Sequence, residues 1–190
     1  MTTPDFVLAL RSKIGHDPLW MPGVKGVVLR PAPASAAGAE RDVAAEVLLV
    51  RRADNGCWTV PAGILEPGEE PADGITREVL EETGVSARVT RLVGVQTTQP
   101  TTYPNGDHAQ YLDVIMALDP LPGSGEARVN DDENLEVAWR SIDDLADVPP
   151  LHVRAVRWAA DQDPRFAVGG RDCGATSSGW FVEGGRERQG

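Results

Sequence analysis

Apolar positions in this chain come in short runs whose period changes along its length. Phe6, Leu8, Leu10 and Ile14, within DFVLALRSKIGHDPLW, predict a short amphipathic helix ending near Gly15. Residues 24–29 (VKGVVL) read as a strand, and the Pro, Ala, Ser and Gly-rich stretch 31–38 as a surface loop. Residues 46–51 (EVLLVR) predict a second strand, apolar enough to be buried on both faces. A tight turn at 53–56 and a short strand at 57–60 follow. Residues 62–71 predict a loop that feeds a helix over 72–83. Pro71 suits its first turn, and Gly84 suits the left-handed position past its end.

Downstream, residues 87–98 and 110–118 predict longer strands separated by the loop 100–107. An acidic, Gly-containing loop spans 120–134, and a strand follows at 137–140. Short helices are expected from 142–145 and over 152–160. From Pro164 the chain is Gly-rich and irregular, with only Phe166, Val168, Trp180, Phe181 and Val182 to bury. No internal repeat is present. Strands outnumber helices, which predicts a mixed α/β sandwich. The expected organisation is an N-terminal helical segment (1–20), one main domain (21–163) and a Gly-rich tail (164–190).

Composition narrows the function. A chain of 190 residues supports one domain with a substantial core. Its net charge of −11 argues against a nucleic-acid groove, whose affinity comes mainly from Lys and Arg. Small phosphorylated substrates stay admissible, because a divalent cation supplies positive charge locally. Cys57 and Cys173 lack zinc-ligand or disulfide-framework spacing, so a reducing cytosol is expected. No basic, apolar leader begins the sequence and no apolar run approaches the roughly 20 residues that cross a bilayer. The expectation is a soluble, cytoplasmic protein that binds neither nucleic acid nor membrane.

The chemistry concentrates in residues 63–85, GILEPGEEPADGITREVLEETGV. On a 3.6-residue helix Glu78, Glu81 and Glu82 fall on one stripe, with Ile75 and Val79 opposite to face the sheet. Like charges so placed repel by a few tenths of a kcal/mol per pair. A solvated acidic face is one reading, but it favours lysines at i+4, and Arg77 is the one base on this helix. A bound hard cation such as Mg²⁺, which prefers carboxylate and carbonyl oxygens, is the other. The segment also fits G-x5-E-x7-R-E-U-x-E-E-x-G-U, with U apolar, at every specified position. Average residue frequencies make a chance match rarer than about one in a million.

That pattern resembles the Nudix box, and the chain is identified by it as a member of that family. The resemblance implies an α/β/α sandwich with a mixed sheet and a catalytic loop-helix-loop. It also implies cleavage of a nucleoside diphosphate linked to another moiety. By position, Glu78 and Glu82 resemble the principal Mg²⁺ or Mn²⁺ ligands, Glu81 a further ligand or base, and the Ala62 carbonyl a backbone ligand. Glu69 and Arg77 resemble the ion pair that locks loop to helix, and Gly63 the residue that admits the metal close to the backbone. Gly74 departs from helix propensity by about 1 kcal/mol, and the pattern offers no account of it.

The implied mechanism is metal-assisted hydrolysis with a carboxylate general base. In many family members that base lies well after the box, which points to the loop 130–134, with Glu133 first and Glu136 behind it. ADP-ribose-hydrolysing members commonly carry a proline fifteen positions beyond the box, where this chain has Pro100. Tyr103, in the same loop, is suited to stacking on a base or ribose. Arg51 and Arg52 are candidates for a terminal phosphate, or for pairing with surface acids. Trp58 reads as core before base platform, Cys57 as a small filler, and His108 and His152 receive no role. Arg11, Lys13 and His16 suit a substrate rim or the contact of a homodimer. The expected reaction gives AMP and a sugar phosphate from ADP-ribose or a related nucleotide sugar. A nucleoside triphosphate pyrophosphohydrolase is the alternative, and a non-catalytic nucleotide sensor the third.

Overall fold

A computed structural model describes residues 3–32 and 45–160, with the backbone of two short strands at 166–168 and 181–182. Residues 33–38 of the loop expected at 31–38, Cys173 and most of the tail lie outside the described residues. In chain order the elements are α1 (Asp5–Ile14), β1 (Leu19–Pro31), β2 (Ala45–Arg52), β3 (Trp58–Thr59), β4 (Ala62–Ile64) and α2 (Pro71–Thr83). Then come β5 (Ala87–Thr97), β6 (Thr101–Thr102), β7 (His108–Pro120), β8 (Asn134–Ser141), α3 (Pro150–Ala160), β9 (Phe166–Val168) and β10 (Phe181–Val182).

Strand β1 organises the sheet. From Leu19 to Val28 it runs parallel to β7, and from Leu29 it pairs antiparallel with β2. Residues 23–25 also pair with β4, which sets Gly63 and Ala62 against the sheet. Strand β5 lies antiparallel on the other side of β7, and β2 carries β3 and β8. The strand order is β10-β9-β5-β7-β1-β2-β3.

Both faces are covered, as an α/β/α sandwich requires. Val24, Val28 and Leu48 pack with Ile75 and Val79 of α2, while Val27, Val47, Leu49, Val60 and Ile115 pack with Ala155 and Val156 of α3. Successive strand residues thus alternate between two apolar layers, so β1 and β2 read as unbroken apolar runs. Burying each such Val, Leu or Ile contributes roughly 1.5–3 kcal/mol. Gly26 of β1 has Ile75 Cγ1 2.9 Å from where a Cβ would stand, and so lets α2 approach closely. Pro71 opens α2, and Gly84, at φ 67°, closes it with its N–H donating to the Leu80 carbonyl.

Three local expectations need correction. Residues 62–64 form a strand rather than loop, because β1 offers them an unpaired edge. Strand β1 is also longer than 24–29, because residues 19–23 find partners on β7. Residues 142–145 form turns, not a helix: Asp144 N–H bonds back to Ser141, Ile142 N–H to Ala45, and Pro149-Pro150 forbids propagation. At the N-terminus Val7 of α1 packs with Met21, Ile64 and Ala109, beside Phe6 and Tyr103. Among the described residues no helix is long and apolar enough to cross a membrane.

Candidate active site

Loop 65–70 is fastened to α2 by one guanidinium. Arg77 Nε and Nη2 donate to the two carboxylate oxygens of Glu69 at 2.9 and 3.0 Å, and Nη1 reaches Glu78 at 2.8 Å and Glu81 at 3.2 Å. Glu69 also accepts from the Glu66 N–H at 3.1 Å. The Arg77 hydrogen bonds hold the Glu69 carboxyl below its usual range. Glu69 in turn raises Arg77 above its own, so both stay ionised. Gly74 now has an account: a Cβ there would stand 2.6 Å from Leu65 Cδ2 and 3.0 Å from Glu69 Oε2. Its absent side chain is the space in which the loop and its carboxylate lie on the helix.

The glutamates of α2 differ sharply in environment. Glu81 is the outermost, with a side chain 56% exposed. Glu78 is mostly buried against Gly63, where a Cβ would fall within its carboxyl and 2.6 Å from its Cγ. Glu82 is 3% exposed, and its Oε2 has no hydrogen-bond partner among the described residues. Burial drives the Glu82 carboxyl well above its ordinary value, with Glu78, Asp131 and Glu133 pushing the same way and Arg52 opposing them. Burial also raises Glu78, against the pull of Arg77.

Loop 128–134 is clamped across the end of α2. Arg128 N–H donates to the Thr83 carbonyl at 3.0 Å, Asn130 N–H to the backbone carbonyl of Glu82 at 3.3 Å, and Asn130 Nδ2 to the Leu80 carbonyl at 3.1 Å. These bonds bring Asp131 and Glu133 over the buried glutamate. One carboxylate oxygen from each of Glu82, Asp131 and Glu133 lies within 4.8 Å of the others. Several carboxylates sharing one buried spot repel unless protonated or cross-linked by a cation. An all-oxygen set of this kind, with an unpartnered buried oxygen, fits a hard divalent ion. Asp131 was not singled out by sequence. Its one signal is its place two residues before Glu133, whose N–H its Oδ1 accepts at 3.1 Å.

A cavity of about 700 Å³ adjoins Ala62 and Gly63. Arg52 lies on its wall, gripped by Asp54 through bonds of 2.9 and 2.8 Å. Burial opposes the Arg52 charge, and the Asp54 bonds more than offset it. Tyr103 and Tyr111 join hydroxyls at 2.7 Å on the same wall, and burial raises the Tyr111 phenol. Lys25, Gln96, Asp113, His152 and Arg154 line it too, none of them named from sequence as ligand contacts.

Other candidates lie elsewhere. Arg51 pairs with Glu136 at 2.6 Å, which also occupies the second-choice base, and neither residue lines this cavity. Pro100 is exposed and does not line it either. Trp58 packs against the α3-side core, with Arg140 5.6 Å from its ring centre. His16 and Arg11 both reach Asp107, at 2.8 and 3.4 Å, tying α1 to the loop that carries Tyr103.

Comparison with known proteins identifies the family. The family model described as NUDIX domain matches residues 32–161. A MutT-like protein of Streptomyces ambofaciens is 36% identical over 101 residues, 53% of this chain and 58% of that protein. An ADP-ribose pyrophosphatase of Methanocaldococcus jannaschii is 34% identical over 107 residues, 55% of this chain and 59% of that one. An NAD-capped RNA hydrolase of Salmonella typhi is 36% identical over 117 residues, 60% of this chain and 42% of that protein. The chain thus spans less than two thirds of each of these relatives. Among solved structures, a NUDIX hydrolase from Nitrosomonas europaea superposes with TM-score 0.52 at 27% identity, covering 75% of this chain and 89% of that one.

Proposed function

The chain belongs to the Nudix family, and on that footing we propose that it hydrolyses the diphosphate linkage of a nucleoside diphosphate derivative. ADP-ribose or a related nucleotide sugar is the substrate class, giving AMP and a sugar phosphate. The observation that carries this reading is the buried, unpartnered Glu82 oxygen facing Asp131 and Glu133, close to a cavity large enough for a nucleotide. The 34% identity to an ADP-ribose pyrophosphatase supports the substrate.

Glu78, Glu82, Asp131 and Glu133 would hold a divalent cation, Mg²⁺ or Mn²⁺ in its place, with Glu81 and the Ala62 carbonyl beside them. The chemistry such an ion supplies is neutralisation of diphosphate charge and acidification of water. Glu133 takes the proton of the attacking water as general base. Arg77 does not touch substrate in this scheme; it positions Glu78 and, through Glu69, the loop. Arg52, kept charged by Asp54, meets a phosphate oxygen. Tyr103 stacks on the base or ribose.

The test is a substrate panel with Mg²⁺. AMP release from ADP-ribose with no turnover of nucleoside triphosphates is the expected outcome. Pyrophosphate release from triphosphates with ADP-ribose untouched would overturn the substrate assignment.

A further inference from the structure

One part of the cavity wall carries more hydrogen-bond donors than its own residues use. Gln96 of β5 is 2% exposed; its Oε1 accepts from Arg154 Nη2 at 2.7 Å, and its Nε2 has no partner among the described residues. Arg154 Nε is likewise out of solvent and unpartnered, as is His152 Nδ1, which donates or accepts according to its tautomer. Each buried donor left so costs stability. Two such donors in one wall, with an unpartnered imidazole nitrogen as well, are more than a packed core ordinarily keeps.

The charges of this wall do not cancel. Lys25 is matched by Asp113 at 2.9 Å, and Arg52 by Asp54 at 2.8 Å. Arg154 meets no carboxylate among the described residues; its guanidinium lies 5.2 Å from the Trp158 ring centre, held by Gln96. His152 is neutral, since burial, with Lys25 and Arg52 nearby, drives its imidazole well below the ordinary value. One positive charge therefore stands over in a donor-rich concavity. Pro149 and Leu151, at the start of α3, line it as well, and the positive end of that helix dipole adds to the same sign. An apolar or cationic group would leave the Arg154 charge unmatched. An anionic oxygen group would match it, because a planar guanidinium binds two such oxygens at once.

We propose that Arg154, with Lys25, Gln96 and His152 around it, forms an anion subsite for a phosphate monoester or carboxylate that the substrate carries besides its diphosphate. The proposal rests on the reading that the cavity and the carboxylate cluster serve one substrate. Arg154 makes the contact; Gln96 is a positioning residue that fixes the guanidinium by its one used oxygen.

Two matched pairs of compounds test it: ADP-ribose against 2′-phospho-ADP-ribose, and UDP-glucose against UDP-glucuronate. The expected result is a KM about tenfold lower for the member with the extra anion in one of the two pairs, the size of one charge-assisted contact. The pair that shows it identifies phosphate or carboxylate as the group. Arg154→Gln should erase the difference, and Arg154→Lys should keep part of it, with thermal melts verifying that both variants fold. Equal KM within both pairs, or a difference that survives Arg154→Gln, overturns the subsite. If none of the four is hydrolysed, the nucleotide-sugar substrate assignment fails separately. Calorimetric titration of the same four compounds in EDTA then decides the subsite by the same tenfold ratio and the same dependence on Arg154.

Discussion

Gly63→Ala adds one methyl group at the point where the box loop meets α2. That methyl would stand 2.6 Å from Glu78 Cγ and within the Glu78 carboxyl, where ordinary contact begins near 3.4 Å. The Cγ must therefore retreat by about 0.8 Å, and the carboxyl beyond it by more than about 1 Å. Gly63 lies in β4 and is not among the positive-φ glycines, so alanine is compatible with its backbone. The strain thus falls on a flexible side chain and not on the fold. Displacements of about 1 Å at a reacting centre lower turnover roughly 100-fold. The prediction is a kcat lower by about that factor with Tm within about 4 °C of wild type, the equivalent of roughly 1 kcal/mol in a chain this size. Steady-state kinetics with saturating Mg²⁺ and a thermal melt measure both. Adding Glu78→Ala to the same chain should cost little more, because the two changes disable one ligand. A Gly63→Ala enzyme turning over within threefold of wild type would refute the argument that Glu78 acts from this position.

Further predictions follow from the same geometry. Gly74→Ala should destabilise the protein by about 1–2 kcal/mol in urea, because the clash with Leu65 and Glu69 outweighs the roughly 1 kcal/mol gain in helix propensity. An unchanged or higher midpoint would contradict the space-filling account of that glycine. Asp54→Asn, which loosens the grip on Arg52, should raise KM about tenfold with a smaller effect on kcat. A fall in kcat at constant KM would remove Arg52 from substrate binding. Burial lifts the folded-state values of Glu78 and Glu82 above those of the unfolded chain. At these two sites the metal-free fold therefore binds more protons than the unfolded chain, and their contribution to stability should decline as pH rises from about 4.5 through those raised values, while His152, lowered by burial, contributes the opposite slope below about 6.5. Mg²⁺ should restore most where the decline is greatest, so the gain in Tm from Mg²⁺ should be larger at pH 8 than at pH 5. Equal gains at both would place the ion elsewhere.

The sequence made some of this legible and hid the rest for physical reasons. The α2 helix declared itself through Pro71, Gly84 and the Ile75–Val79 stripe, all local signals. The partner that completes the carboxylate cluster did not. Asp131 is one acid in a run of acids, and only the clamp of Arg128 and Asn130 onto α2 sets it apart. Strand β4 was hidden because three residues carry no period, and its existence depends on the edge that β1 offers. Gln96, His152 and Arg154 were invisible for a similar reason. They meet from β5 and α3, some 58 residues apart for the Gln96–Arg154 bond, and each alone is an ordinary polar residue. Gly74 shows the opposite case. Its misfit with helix propensity was plain in the sequence, and its cause, the Glu69 carboxylate lying across it, needed three dimensions.

In the proposed reading, Glu82, with Asp131 and Glu133 over it, holds the divalent ion on which hydrolysis depends. Glu82→Gln keeps the shape of that side chain and removes its charge, so the measurement is Mg²⁺-dependent AMP release from ADP-ribose, wild type beside variant. The variant should lose turnover by a factor of at least about 100. Without metal it should melt no lower than wild type, since a buried carboxylate among like charges is gone. Turnover and Mg²⁺ dependence unchanged in Glu82→Gln would contradict it.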